Sequence, residues 1–181
     1  QTHIAGKLAK TMRQVGIDAD SRFELETSRN SIYLAKGATE SELVETAIGQ
    51  GRTGVTPLYM AMLASAFAND GMMMKPYIVD HVVYPDGTET KNTVPEKLTE
   101  ICTAEEAAAI KDMMIGVVSG GTGTAAAING VTVAGKTGTA ENATGYDHSW
   151  FIGFAPAENP KVAVAVVIEN ANYGSATPIA G

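Results

Sequence analysis

Lys136-Thr137-Gly138-Thr139 places a cation, two hydroxyls and one position without a side chain in four consecutive residues. Lys136 is a compact cation that can hold a carboxylate or tune a neighbouring proton shuttle. Gly138 has no side chain, so an extended substrate backbone can lie close beside it. Thr137 and Thr139 add hydroxyls, and Thr139 also brings a backbone N–H that could serve an oxyanion hole. Four residues are a short motif, and their meaning depends on context. The set lacks a nucleophile. No Ser in this chain is followed three residues later by Lys.

Other candidate groups give less. Asp147 and His148 could form an acid/base pair, but their place at a strand start points to solvent or to the rim of a site. His3, His81 and His148 lie far apart without ligand spacing, so no zinc site and no cofactor are expected. The lone Cys102 allows neither an internal disulfide nor a cysteine metal set. The stretch Ser119-Gly120-Gly121-Thr122-Gly123-Thr124 lacks the Gly-Lys-Ser/Thr ending of a phosphate loop and follows a helix, so it reads as a flexible connection. Met72-Met73-Met74 reads as gap-filling core or a partly exposed turn.

The elements that must position the Lys136 tetrad are legible along the chain. Ile4, Leu8, Met12 and Val15 recur at helical spacing, with Gly16 as the stop. Residues 18–39 are polar and irregular, a surface excursion. Glu40–Ile48 predicts a short helix running into Gly49-Gln50-Gly51. Thr56 as N-cap and Pro57 at the first helical position open a helix with apolar residues from Leu58 to Phe67, ended by Asn69-Asp70-Gly71. That helix is apolar nearly all round and is expected to be buried. Tyr77–Tyr84 predicts a strand, and Pro85-Asp86-Gly87-Thr88 a turn. Thr103 followed three residues later by Glu106 is a capping box for a helix to about Val118. Val131–Lys136, Ser149–Phe154 and Val162–Ile168 predict three strands with short connections. The fold class is therefore α+β, an antiparallel meander flanked by helices. Thr177-Pro178 has the form of one more helix start.

Composition sets the outer bounds. At 181 residues, 45% hydrophobic and 18% charged, the chain can bury a real core and does not have the make-up of a disordered segment. No apolar run approaches the roughly 18 residues of a membrane span. A net charge of -7 without a Lys/Arg cluster argues against a nucleic-acid partner.

Ordered context then sharpens the tetrad. Gly49-Gln50-Gly51, Val55-Thr56-Pro57-Leu58-Tyr59-Met60-Ala61 and Ala68-Asn69-Asp70-Gly71 come first. Val117 to Ala126 follows, then Val133 to Glu141, then Ser149 to Pro156. Together these stretches closely resemble the transpeptidase domain of class B penicillin-binding proteins, whose active site is built from Ser-x-x-Lys, Ser-x-Asn and Lys-Thr-Gly. The likeness spans roughly Gly49 to Ile168. It implies a partial β-lactamase/transpeptidase-like fold lacking its N-terminal portion, with residues 1–181 truncated at both ends. It implies catalytic roles for Lys136 and Thr139, and substrate contacts for Thr137, Gly138 and Thr139. Gln50 matches a residue behind the site and receives no chemistry. Ser28-Arg29-Asn30 spells Ser-x-Asn, but the family places that motif at the head of the helix that here starts near Ile4. Ser28 follows that helix, so the match reads as coincidence. The implied parent protein is a peptidoglycan D,D-transpeptidase at the extracytoplasmic face of a bacterial membrane. Its implied partners are stem peptides, β-lactams and members of a cell-wall synthesis complex, and only an N-terminal anchor would touch the membrane. Two alternatives stay open at this level. One is a D,D-carboxypeptidase or β-lactamase of the same superfamily; the other is a non-catalytic β-lactam or peptide sensor.

Overall fold

The computed structural model describes residues 2–19, 23–32, 38–171 and 176–180. Helix α1 covers Thr2–Gln14, α2 Glu40–Ala47 and α3 Pro57–Ala68. Four short strands follow: β1 Met72–Met74, β2 His81–Val83, β3 Glu89–Asn92 and β4 Lys97–Glu100. Helix α4 spans Ala104–Gly120 and leads through a 3₁₀ turn at Thr124–Ala126 into the main sheet. That sheet consists of β5 Ala134–Ala140, β6 His148–Ala155 and β7 Val162–Ile168, and a helical turn, α5, closes the chain at Thr177–Ala180. This is the α+β architecture that the sequence predicts.

Helix starts follow local capping chemistry. The Thr56 hydroxyl accepts from the Tyr59 N–H, with Pro57 where a missing N–H costs nothing. Thr103 and Glu106 form a reciprocal capping box: the Thr103 hydroxyl accepts from the Glu106 N–H, and the Glu106 carboxylate accepts from the Thr103 N–H. A second box, Thr39 with Glu42, opens α2. The backbone bond from Thr103, then its hydroxyl, hold the Glu106 carboxyl below its ordinary value of 4.5. Thr103→Ala removes the hydroxyl that accepts from the Glu106 N–H and is expected to cost about 1 kcal/mol near neutral pH, as for a lost N-cap. The folded-state value is depressed, so the carboxylate half of the box contributes above pH 4.5 and is lost as pH falls through the folded value, while the hydroxyl half does not titrate. Urea unfolding midpoints of wild type and variant, compared at neutral and acid pH, check this. Equal midpoints at neutral pH would refute it.

The main sheet is ordered β5-β6-β7 and is antiparallel throughout. Gly135 opposes Gly153, Lys136 opposes Ile152 and Thr137 opposes Phe151, and β6 continues the register onto β7 through Phe151 opposite Val166. One sheet face presents Phe151, Val164, Val166 and Ile168 to Val118 of α4, Ala126, Ala176 and Ala180. The other presents Ala134, Phe154 and Ala163 to Phe67 and Ala68 of α3 and to Ile110, Met114 and Ile115 of α4. Phe151 and Phe154 are fully buried. The Gly135–Gly153 pair leaves room for the Phe151 ring and, at Gly153, for the Ala134 carbonyl 2.7 Å from where a Cβ would stand. A Cβ on Gly135 would lie 2.3 Å from Phe151 Cζ, and one on Gly153 2.9 Å from Phe151 Cε1.

A separate cluster joins the N-terminal half. Ile17, Tyr59, Ala66, Met73 and Ile101 form its buried centre, with Met12, Val15, Leu63 and Leu98 packed around them. The Tyr59 hydroxyl donates to the Val15 carbonyl, and burial, with a smaller contribution from Asp18, pushes its pKa up to about 12.

Several sequence-based expectations need correction. Met72-Met73-Met74 is a strand paired with Lys97–Glu100 and not a turn, while Met73 is core, as the other reading of that run has it. Of Tyr77–Tyr84, only His81–Val83 is a strand; it pairs with Glu89–Asn92 across the predicted turn. The N–H groups of Ile78 and Val79 instead donate to the Glu24 carboxylate, while the Val79 and Asp80 carbonyls accept from Thr93 just past β3. Helix α3 is not buried all round: Tyr59, Ala64 and Ala66 are buried, but Pro57 and Ser65 are exposed. The strand predicted over Val131–Lys136 instead covers Ala134–Ala140, so Lys136 lies inside it and not at its end. The polar excursion at 18–39 lies partly outside the described residues. Its described part includes an isolated bridge from Ser31 to Gly54.

Candidate active site

The Lys136 tetrad lies on an outer strand. β5 pairs with β6 on one side, and among the described residues no strand covers its other side. In an antiparallel strand, successive residues turn their N–H and C=O alternately toward and away from the partner. The Thr139 carbonyl and the Glu141 N–H are bonded outside the sheet, by Gln50. Thr137 and Thr139 therefore turn their backbone groups to the open edge, where an extended peptide could add.

Each member of the tetrad has a defined setting. Lys136 is exposed, and its Nζ donates to the Thr137 carbonyl at 2.6 Å, which holds the cation over the open edge. The Thr137 hydroxyl lies 2.7 Å from that of Thr122. At Gly138 an added Cβ would stand on the sheet face, 3.3 Å from Trp150 Cβ, so glycine keeps that face of the strand low. Thr139 is exposed, and its carbonyl accepts from Gln50 Nε2 at 2.9 Å.

Two of these neighbours were not assigned from sequence. Thr122 comes from the glycine-rich stretch after α4, which is not a slack connection. The Gly121 and Gly123 N–H groups both donate to the Val117 carbonyl, folding the loop back on the helix end and presenting Thr122 to β5. Gln50 sits between Gly49 and Gly51, whose φ values of +78° and +70° only glycine adopts without strain. The sequence signal for both was a polar residue framed by glycines.

The remaining candidates lie apart from this arrangement. His148 Nδ1 accepts from the Asn170 N–H, and the ring contacts the Asn142 amide at 3.2 Å. Its role is to tie the β5–β6 turn to the end of β7, and Asp147 is exposed beside it. Ser28 and Asn30 line a different cavity, of about 540 Å³, with Ile17, Tyr59 and Met62. Both ends of the Asn30 amide are engaged: Nδ2 donates to the Ile17 carbonyl and Oδ1 accepts from the Thr56 N–H. Burial, and then the Glu106 and Glu100 charges, push the Cys102 thiol above its ordinary value, the opposite of what a reactive thiolate needs. Among the described residues, no group of three or more His, Cys, Asp or Glu side chains could hold a metal ion, and no helix is long and apolar enough to cross a membrane.

Comparison with known proteins gives the chain's family. Residues 4–180 match the family described as the penicillin binding protein transpeptidase domain. The chain is 41% identical over 159 residues to the peptidoglycan D,D-transpeptidase PbpA of Mycolicibacterium smegmatis, covering 82% of this chain and 32% of that protein. It is 30% identical over 187 residues to the peptidoglycan D,D-transpeptidase MrdA of Acinetobacter baumannii, covering 90% of this chain and 28% of that protein. The chain thus spans about a third of the length of the curated relatives it matches. Among solved structures, the D,D-transpeptidase domain of a peptidoglycan glycosyltransferase from Eggerthella lenta superposes with a TM-score of 0.87 at 37% identity, over 96% of this chain and 45% of that one. The imipenem acyl-enzyme of penicillin-binding protein A from M. tuberculosis gives 0.80 at 34% identity, over 94% of this chain and 38% of that one. With an open-edged strand carrying Lys-Thr-Gly-Thr, and a match over nearly its whole length, the chain belongs to the penicillin-binding protein transpeptidase domain family.

Proposed function

We propose that the protein containing these residues is a peptidoglycan D,D-transpeptidase that works through a serine acyl-enzyme, and that this chain supplies the strand on which the substrate lies. The observation that carries the reading is the outer edge of β5, which no strand covers among the described residues, with Lys136-Thr137-Gly138-Thr139 upon it. The names of the relatives support it, as do the neighbouring penicillin-binding protein A structures that carry imipenem or penicillin G as acyl-enzymes. In this reading residues 1–181 are part of a transpeptidase domain, and the Ser-x-x-Lys nucleophile and the Ser-x-Asn motif lie in sequence outside them.

The roles follow from placement. A stem peptide or a β-lactam lies beside β5 and bonds its outward backbone groups. The serine oxygen attacks the carbonyl carbon between the two terminal D-alanines, and negative charge gathers on the carbonyl oxygen. The Thr139 N–H faces the open edge, where it can donate to that oxygen as the charge develops. Lys136 supplies a fixed cation for the substrate carboxylate or for the proton shuttle, and the Thr137 and Thr139 hydroxyls contact the substrate. The C–N bond then breaks, D-alanine leaves with a proton on its nitrogen, and an amine of a second stem peptide resolves the ester. A protein doing this works outside the cytoplasmic membrane, where its substrate is, and alongside other cell-wall enzymes.

The test is labelling with a fluorescent penicillin. The 181-residue chain alone should show no adduct that survives denaturation, because no Ser in it has a Lys three residues on. The full-length protein should label stoichiometrically and should join a donor stem peptide to an acceptor amine. A stoichiometric stable band on the 181-residue chain, or a full-length protein that neither labels nor transfers, would overturn the reading.

A further inference from the structure

We propose that Gln50 is a positioning residue for acyl transfer: its side-chain amide stands in for a neighbouring strand on the outer edge of β5 and fixes the backbone that carries Thr139. The inference rests on the transpeptidase reading above.

A glutamine amide has the same donor and acceptor pair as a peptide group. Here both are used on one strand. Gln50 Nε2 donates to the Thr139 carbonyl at 2.9 Å, and Gln50 Oε1 accepts from the Glu141 N–H at 3.2 Å. The two bonds bracket Ala140, one residue before and one after it, which is the pattern a parallel neighbour makes. Residue 140 is also where internal support ends. Ala140 opposite His148 is the last register pair of β5 with β6, and the turn to β6 begins at Glu141. A strand end with pairing on one side only is prone to fray. The Gln50 amide adds the missing partner at that point, immediately after the residue offered to the oxyanion.

The bracket that holds Gln50 is itself built. Its N–H donates to the Glu45 carbonyl at 2.8 Å, and the Gly49 N–H donates to the Thr46 carbonyl, which folds the turn onto the end of α2. Gly49 and Gly51 both have left-handed backbones, and a Cβ on Gly51 would press on Glu45 Oε2 at 3.0 Å. Helix α2 is anchored at its other end by the Thr39–Glu42 box. An oxyanion donor must sit within about half an ångström of its place, since small misplacements cost large factors in rate. Gln50 meets that requirement through Thr139 without touching the substrate.

The experiment uses the full-length enzyme and a penicillin, with stopped-flow kinetics that separate the dissociation constant of the initial complex from the acylation rate constant. Gln50→Met keeps the length of the side chain and removes both hydrogen bonds. Gln50→Glu keeps the acceptor for the Glu141 N–H but turns a carboxylate oxygen on the Thr139 carbonyl. Both variants are expected to lower the acylation rate constant of the folded protein by at least roughly 10-fold, as for a misplaced oxyanion donor. The initial dissociation constant should stay within about threefold, because the noncovalent contacts remain. Acylation rate constants within twofold of wild type in both variants would overturn the proposal, whether or not thermal stability fell. So would a loss confined to the initial dissociation constant. A wild-type enzyme that does not acylate at all would instead overturn the transpeptidase reading.

Discussion

Lys136→Ala in the full-length enzyme is expected to lower the second-order rate constant of penicillin acylation by on the order of 30- to 1,000-fold. That corresponds to about 2–4 kcal/mol of lost transition-state stabilisation, the range for one preorganised charge-stabilising group. The Lys136 ammonium is held over the open edge of β5 by the Thr137 carbonyl and buries no apolar core. Thermal or urea stability should therefore move by less than about 1 kcal/mol, as for an exposed side chain. The two readouts separate the alternatives. If stability collapses while the remaining folded protein acylates at the wild-type rate, Lys136 serves the fold and its place in the site is wrong.

The second large effect concerns the wall behind the strand. Phe151→Ala is expected to destabilise the protein by about 3–5 kcal/mol, the usual cost of emptying a fully buried aromatic position. The ring has no exposed surface, packs in a cluster with Val118, Ala126, Val133 and Ala176, and fills the slot that Gly135 and Gly153 leave open. Those two glycines cannot refill it, having no side chains, so the cavity should persist. For a domain of this size the melting temperature should fall by on the order of 10 °C. A fall equivalent to under 1 kcal/mol in a denaturant titration would mean the ring is not the pin between β5 and β6 that this packing makes it.

What the sequence determined by itself is what local chemistry decides. The starts of α3 and α4 were legible because a threonine cap and its partner lie within three residues of each other. The presence of β6 and β7 was legible because β-branched and aromatic residues run together there. The Lys136 tetrad, its family and the missing Ser-x-x-Lys are equally matters of residue order. Tertiary structure decided the rest, through bonds between distant residues. Lys136, Thr137, Gly138 and Thr139 have modest strand preference, so the extent of β5 follows from its pairing with β6 rather than from its own composition. Met72–Met74 is a strand because Lys97–Glu100 lies against it, while Ile78 and Val79 give their N–H groups to Glu24. Gln50 reaches Thr139 across 89 residues, and Thr122 reaches Thr137 across 15. Local periodicity records which groups a segment offers; which distant partner satisfies them is fixed only when the chain closes and every buried or edge-facing polar group must find one.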